Sequence, residues 1–377
     1  MASKVKAAVL VAPRQIEIEE FPLPETDDED SLLRVEACGV CASDVPLYTG
    51  KVKSEGQLQM LLPVVLGHEI VGRVERLGKK AAERWGVKEG DRIIIERWIP
   101  CGHCDRCYAG DYRLCVRKID GYPLYYGGSS TKLPPSLWGG FAEYMYLHPD
   151  TVVYKVSDRV SAELLPQFTP IANGISWVTV NGGAGVDSTV VIQGPGQEGL
   201  AAVIAAKEAG ARLIIVTGLA QDAHRLQMAQ ELGATHTIVA EQEDVVERVK
   251  EITEERMADV VLDVTSGSST KPIELAVDLA GQDGIIVLAG FHDNQPIANL
   301  VAEKMMSKTL TIKGVWGRHR RSVKAAIRLI ESGRYPLHKL CTHAFPLEET
   351  GQAFRVVARE VDRDALHVSV IPRHSEA

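Results

Sequence analysis

A chain of 377 residues is too long for one ordinary hydrophobic core and calls for two domains. Its apolar fraction of 45% and charged fraction of 24% are those of a globular protein, and a net charge of −8 argues against a general nucleic-acid or anionic-membrane surface. No apolar run approaches a membrane span, and Met1-Ala2-Ser3-Lys4 leads into a strand-like segment without a signal-peptide core, so a cytoplasmic protein is expected.

Residues 1 to about 100 read as short strands broken by turns. Lys6–Val11 and Gln15–Glu19 form a candidate hairpin, and Leu32–Ala37 carries the chain to Gly39-Val40-Cys41-Ala42-Ser43-Asp44. Val64-Val65-Leu66 then ends in Gly67-His68-Glu69, and further strands are expected at Val71–Leu77 and Arg92–Ile95. Cysteine, histidine and carboxylates are natural zinc ligands, and a catalytic zinc needs about three of them plus an open position. Taken singly, the same residues read as a buried thiol, a satisfied histidine and turn formers.

Cys101-Gly102-His103-Cys104-Asp105-Arg106-Cys107 follows, with Cys115 seven residues further on. In a chain without a signal segment this clustering reads as a metal site rather than disulfides. Four thiolates close a tetrahedron and leave no open position, which makes the ion structural. An iron–sulfur cluster is the competing metal, but the spacing differs from the usual ferredoxin run. His103 is a bystander. Residues 116–138 form a Gly-, Tyr- and Pro-rich stretch that either lines a substrate pocket or is a surface excursion. The chain returns to strand over Gly139–Tyr146.

From Ser188 the grammar becomes strand, helix, strand. Strands are expected at Thr189–Gln193, Leu213–Thr217, His236–Val239, Asp259–Val264, Ile285–Ala289 and Leu310–Lys313, with amphipathic runs at Leu200–Ala209, Ala223–Leu232 and Val245–Arg256. This pattern defines an α/β doubly wound parallel six-stranded sheet. Gly194-Pro195-Gly196-Gln197-Glu198-Gly199 follows the first strand and opens a helix, which gives the GxGxxG pattern its dinucleotide-binding context. Gly218 stands where an acid would bond the ribose of NAD; its absence admits NADP, yet Arg225 is the nearest cation and Asp222 intervenes, so NAD or NADP stays open. Thr265, Leu288 and Gly290, at later strand ends, are candidate cofactor contacts, and Arg318, Arg320 and Arg321 form a basic cluster read mainly as a solvated helix start.

Cys41 with His68-Glu69, then CxxCxxCx7C, then GxGxxG, in that order, resembles the zinc-dependent medium-chain dehydrogenases, whose members include alcohol, sorbitol and threonine dehydrogenases. The likeness extends to Phe345-Pro346-Leu347-Glu348-Glu349 and Ala353-Phe354 near the end. It implies a GroES-like β-rich catalytic domain over 1–170 and 317–377, with a Rossmann dinucleotide-binding domain over 171–316 between its two parts. It also implies that Cys41 and His68 hold a catalytic zinc, that Asp44 orients the imidazole, that Ser43 relays the alcohol proton, and that Cys101, Cys104, Cys107 and Cys115 hold a structural zinc. Cys38 and Cys341 match no ligand position.

Two departures stand out. Thr169 occupies the position of the family's third catalytic-zinc ligand. Glu69 is the best substitute, with a supporting role behind the metal as its alternative and Gln167 and Asn173 as remoter candidates. Pro46 replaces a histidine of the proton relay, which leaves the ribose and water, or His148, as routes.

The reading is an NAD(P)-dependent dehydrogenase of secondary alcohols, polyols or related hydroxy compounds, acting on a small molecule as a homodimer or homotetramer, with no nucleic-acid or membrane partner. Its alternatives are a zinc-independent enone or quinone reductase of the same fold and a nucleotide-binding regulatory or structural protein with a vestigial site.

Overall fold

The computed structural model describes residues 4–51, 62–118 and 124–374. Met1-Ala2-Ser3 and residues 119–123 of the Gly- and Tyr-rich stretch lie outside the described residues. Contacts divide the chain into two units, residues 1–168 with 327–377 and residues 169–326, so residues 317–326 go with the central unit.

The N-terminal part is built of strands β1 (Lys4–Ala12), β2 (Gln15–Pro22), β3 (Ser31–Gly39), β4 (Val64–Val65), β5 (Glu69–Leu77), β6 (Arg92–Ile95), β7 (Tyr144–Leu147) and β8 (Val153–Lys155). β1 and β2 pair antiparallel as the expected hairpin. Among the described residues three short helices punctuate the strands: α1 (Asp44–Thr49), α2 (Lys79–Trp85) and α3 (Asp105–Ala109). The strand-only reading missed them because one or two turns are too short to show a helical period.

In the central unit the sheet consists of β9 (Thr189–Gln193), β10 (Leu213–Gly218), β11 (His236–Val239), β12 (Ala258–Asp263), β13 (Ala280–Leu288) and β14 (Thr311–Gly314). The helices are α4 (Phe168–Ile175), which begins at the unit boundary and runs into a π-helical stretch at Ser176–Asn181, then α5 (Gln197–Ala209), α6 (Ala223–Leu232), α7 (Val245–Ile252), α8 (Lys271–Leu279) and α9 (Ala302–Ser307), while α10 (Arg320–Ser332) spans the second boundary at residues 326 and 327. All six strands run parallel in the order β11-β10-β9-β12-β13-β14. The order reverses between β9 and β12, and open α/β sheets bind their ligands at the carboxyl ends beside such a switch point. Val190, Val191 and Ile192 of β9 are fully buried, as expected for a strand covered on both faces.

The chain then returns to the first unit with β15 (Cys341–Phe345), α11 (Thr350–Val357) and β16 (His367–Val370). β16 pairs with β3, closing a sheet of order β15-β16-β3-β5-β6-β8, with β7 added on β3. Its core gathers Leu33, Val35, Ile70, Ile93, Phe141 and Phe354, with Phe354 stacked on Tyr48 of α1 at 4.7 Å. Among the described residues no helix is long and apolar enough to cross a membrane.

Candidate active site and dinucleotide cradle

The register of β3 and β5 assembles the first cluster. Gly39 lies opposite Glu69, so Cys41, two residues beyond the pair, and His68, one residue before it, emerge at the same sheet end. The donor atoms of Cys41, His68 and Glu69 lie within 4.8 Å of one another, and all three residues are buried. Gly39 is required there, because a side chain would overlap the Glu69 carboxylate. Asp44, fully buried at the start of α1, sits with Oδ1 3.1 Å from His68 Nδ1 and accepts the Cys41 backbone N–H at 3.4 Å through Oδ2. With Nδ1 turned toward Asp44, Nε2 is the ring nitrogen suited to a metal. The Ser43 hydroxyl lies 3.3 Å from Cys41 Sγ.

A buried group of thiol, imidazole and carboxylate suits zinc, whose ligands are drawn from these three types. The donor set therefore fits the ion. His367 of β16 was not anticipated; its ring packs over Gly39 beside Glu69, and burial pulls its imidazole down to about 4, so it is neutral at pH 7.

Cys101, Cys104, Cys107 and Cys115 form the second donor group, again within 4.8 Å. Cys101 and Cys107 Sγ are 3.8 Å apart, Cys104 and Cys107 3.5 Å, and the Cys101 N–H donates to Cys115 Sγ at 3.2 Å. Backbone N–H groups of Val116 and Cys107 draw the Cys104 thiol down to about 6, whereas burial pushes Cys107 up to about 12. N–H groups turned inward on sulfur favour thiolates, the form that binds metal. His103 is exposed and outside the group. Cys38 is buried with its thiol held well up by that burial, and Cys341 accepts a hydrogen bond from Gln167.

At the carboxyl edge of the central sheet, Gly194 has φ +100°, a left-handed turn that favours glycine, and a side chain at Gly199 would overlap the Gly194 carbonyl. Gly196 caps α5, and Arg225 Nη1 lies 3.8 Å from where a Gly196 side chain would begin. Gly218 packs on Pro195, and Gly290 abuts Thr265, whose hydroxyl donates to Asp263 at 2.6 Å. Gln197 is the first residue of α5, and its helix end offers N–H groups to an anion. Leu288 packs into the unit's core. Buried Arg225 pairs with Asp222 at 3.8 Å, while Glu241 accepts the Ala220 N–H at 2.5 Å.

Some pairings around this cradle escaped the sequence reading. Asp263 holds His292 Nε2 at 2.8 Å, and His292 Nδ1 lies 2.7 Å from the Ser269 carbonyl; the hydrogen bond to Asp263 raises the imidazole's pKa. Asn173 of α4 donates to Glu198 at 3.0 Å, and Arg318 acts on the same carboxylate, so Arg318 is more than a solvated helix start. Arg320 and Arg321 are exposed in the first turn of α10. Gln167 donates to the Leu337 carbonyl and Thr169 is buried in the first turn of α4. Pro46 lies inside α1. His148 is half-buried: Nδ1 accepts the Asp150 N–H and the ring packs near Trp138. Residues 124–130 are buried, which rules out a surface excursion there.

Burial raises the Glu198 carboxyl to about 7. Between its ordinary value of 4.5 and about 7 the native state therefore binds the extra proton, and stability declines as pH rises through that window. Glu198→Gln is expected to gain about 1–3 kcal/mol over the wild type on going from pH 5 to pH 8, read by urea denaturation. A difference that stays constant with pH would refute the burial of this charge.

A β-rich unit carrying a buried thiol–imidazole–carboxylate group, in one chain with a six-stranded parallel sheet that bears a GxGxxG helix, defines a zinc- and dinucleotide-dependent oxidoreductase class. Residues 27–158 match the model of the alcohol dehydrogenase GroES-like domain, and residues 199–332 match that of the zinc-binding dehydrogenases. A probable alcohol dehydrogenase of Mycobacterium tuberculosis is 37% identical over 360 residues, 95% of either chain. Sorbitol dehydrogenase of Bacillus subtilis is 30% identical, covering 98% of this chain and 97% of its own. Among solved structures, an alcohol dehydrogenase from Thermotoga maritima superposes with a TM-score of 0.85 at 27% identity, covering 98% of this chain and all of its own. The chain belongs to the zinc-type medium-chain dehydrogenase family. It is an oxidoreductase of alcohols or polyols that uses zinc and a nicotinamide cofactor.

Proposed function

We propose that Cys41, His68 and Glu69 hold the catalytic zinc of a secondary-alcohol or polyol dehydrogenase, that the four cysteines hold a structural zinc, and that NAD is the preferred cofactor. The convergence of three buried donors beside Ser43 and Asp44 carries this reading. Bound zinc would supply Lewis acidity that eases loss of the substrate's hydroxyl proton. Asp44, 3.1 Å from Nδ1, would orient the His68 ring so that Nε2 meets the metal. The Ser43 hydroxyl, next to Cys41, is placed to accept that proton and pass it on. Glu69 completes the anionic donor set that Thr169, a neutral hydroxyl, cannot supply. The Gly194–Gly199 turn and the start of α5 would hold the dinucleotide, whose nicotinamide would supply hydride-accepting chemistry.

Asp222, after β10, and Glu241, which follows β11 and accepts the Ala220 N–H, support NAD, since a 2′-phosphate would meet their carboxylates. Parallel assays with NAD and NADP over a panel of alcohols, read by nicotinamide absorbance, test the whole reading: NAD should give the higher kcat/KM, and no turnover of any alcohol would overturn it. Glu69→Gln should lose one of two zincs under mild chelation and at least about 100-fold in kcat/KM. Retention of both zincs would instead place Glu69 behind the metal as a supporting carboxylate. A homodimer or homotetramer located in the cytoplasm accords with this reading, and sizing the purified protein checks the oligomer.

A further inference from the structure

Arg97 follows β6 and is 94% buried, with 6% of its surface accessible. Its guanidinium lies 5.0 Å from the Tyr125 ring centre and 5.5 Å from that of Trp98, which are themselves 4.9 Å apart. The two segments are zipped together: the Arg97 carbonyl accepts the Tyr126 N–H at 2.8 Å, the Leu124 carbonyl accepts the Ile99 N–H at 3.3 Å, and Trp98 bridges to Tyr125. The cation is thus fixed in position by aromatic faces and by backbone pairing.

Its charge is not met. Arg97 Nε and Nη2 are buried without a hydrogen-bond partner, and among the described residues no carboxylate pairs with the guanidinium. The Tyr125 hydroxyl, fully buried in the same place, also lacks a partner. A guanidinium is a permanent cation in proteins, and ring faces offset only part of its lost hydration. A buried cation with two idle donors beside an idle hydroxyl is a poor structural element, because each unsatisfied group costs stability.

The place is the catalytic cluster's flank. Asp44 and Arg97 both act on the Tyr125 hydroxyl, in opposite senses, after burial, which raises it. Two residues on, Gly127 presses on the metal loop so closely that a side chain there would meet the Gly67 carbonyl at 2.7 Å and His68 Cβ at 3.2 Å. Asp44 forms no ion pair with Arg97; its Oδ1 faces His68 Nδ1 at 3.1 Å and its Oδ2 accepts the Cys41 N–H.

We propose that Arg97 and the Tyr125 hydroxyl form an anion-binding subsite beside Cys41, His68 and Glu69, so that the substrate is a hydroxy compound bearing a carboxylate or a phosphate. This rests on the dehydrogenase reading above and narrows it. The substrate's anion supplies the missing partner to Nε and Nη2 and accepts from Tyr125, while its hydroxyl lies at the catalytic cluster. A neutral alcohol leaves all three donors idle.

The test uses the zinc-replete enzyme with matched pairs: 3-hydroxybutyrate against 2-butanol, and glycerol 3-phosphate against glycerol. One anionic member should exceed its neutral partner in kcat/KM by at least about tenfold, and which pair does so separates carboxylate from phosphate. Arg97→Met should remove that preference through KM, leaving the neutral member within about threefold, and Arg97→Lys should restore part of it. Equal loss for both members of a pair, or no preference in the wild type, overturns the proposal. Should Arg97→Met fail to fold, Tyr125→Phe, which deletes only the hydroxyl, should still weaken the anionic member selectively. Calorimetry with acetate and with inorganic phosphate gives a second readout. Binding of one of them that is lost in the variants upholds the subsite, and equal or absent binding overturns it. If no alcohol of any kind is oxidised, the dehydrogenase reading fails, and these titrations still decide the role of Arg97.

Discussion

Cys41→Ser is expected to reduce alcohol oxidation by at least about 1000-fold and to leave one zinc per chain instead of two. Serine keeps the size and the hydrogen-bonding capacity of the side chain but removes the soft anionic donor, so the buried trio of thiolate, imidazole and carboxylate drops to two ligands. Cys41 sits at a sheet end fixed by the β3–β5 register, and serine can still accept from Ser43, so the melting temperature should change little. Metal analysis and nicotinamide absorbance on the same preparation check both parts. A variant with two zincs and near-normal turnover would mean that the metal lies elsewhere.

The second large effect is expected at Cys107. Cys107→Ser should remove the other zinc and lower the melting temperature by about 5–15 °C, since a site of this kind contributes its binding energy directly to the folding of its loop. Cys107 is the buried member of the four-cysteine group, at the centre of the short sulfur–sulfur contacts with Cys101 and Cys104. The loop from Cys101 to Cys115 holds only one short helix and one 3₁₀ turn, so little else in it resists unfolding. Calorimetric scans with and without a chelator measure the effect. An unchanged transition would show that the loop is held by its own packing.

These two expectations differ in kind because the clusters do. The first is assembled from distant positions that a sheet register brings together, and its loss disables chemistry. The second is nearly contiguous in sequence, and its loss disables a local fold.

That contrast also marks how far the residues alone reach. The CxxCxxCx7C run and the GxGxxG turn are local: their ligands or N–H groups are brought together by a few backbone torsions, so spacing suffices to recognise them. The six strands of the nucleotide-binding unit are equally legible, because buried parallel strands are written as unbroken apolar runs; β9 and β11 fall where those runs place them. Strand ends are less so, and β13 begins at Ala280, five residues before its apolar core at Ile285. Polar Gln282 and Asp283 hide that extension.

Only the tertiary structure could bring Glu69 over Gly39, because that contact depends on which residue of β5 faces which residue of β3, a register that slips by one without changing either strand's pattern. The same holds for Asn173 with Glu198 and for Asp263 with His292, where the partners are 25 and 29 residues apart and carry no motif. Arg97 shows the limit most clearly. In the chain it is one charged residue before a tryptophan. It becomes a candidate substrate contact only when folding buries it between Trp98 and Tyr125 and supplies no counter-charge. The sequence by itself determined the class of fold, the metal-binding residue types and the nucleotide turn, since these follow from periodicity and short-range spacing. The tertiary structure alone decided which buried charges are paired and which are left for a ligand, because burial and pairing are properties of three-dimensional neighbours.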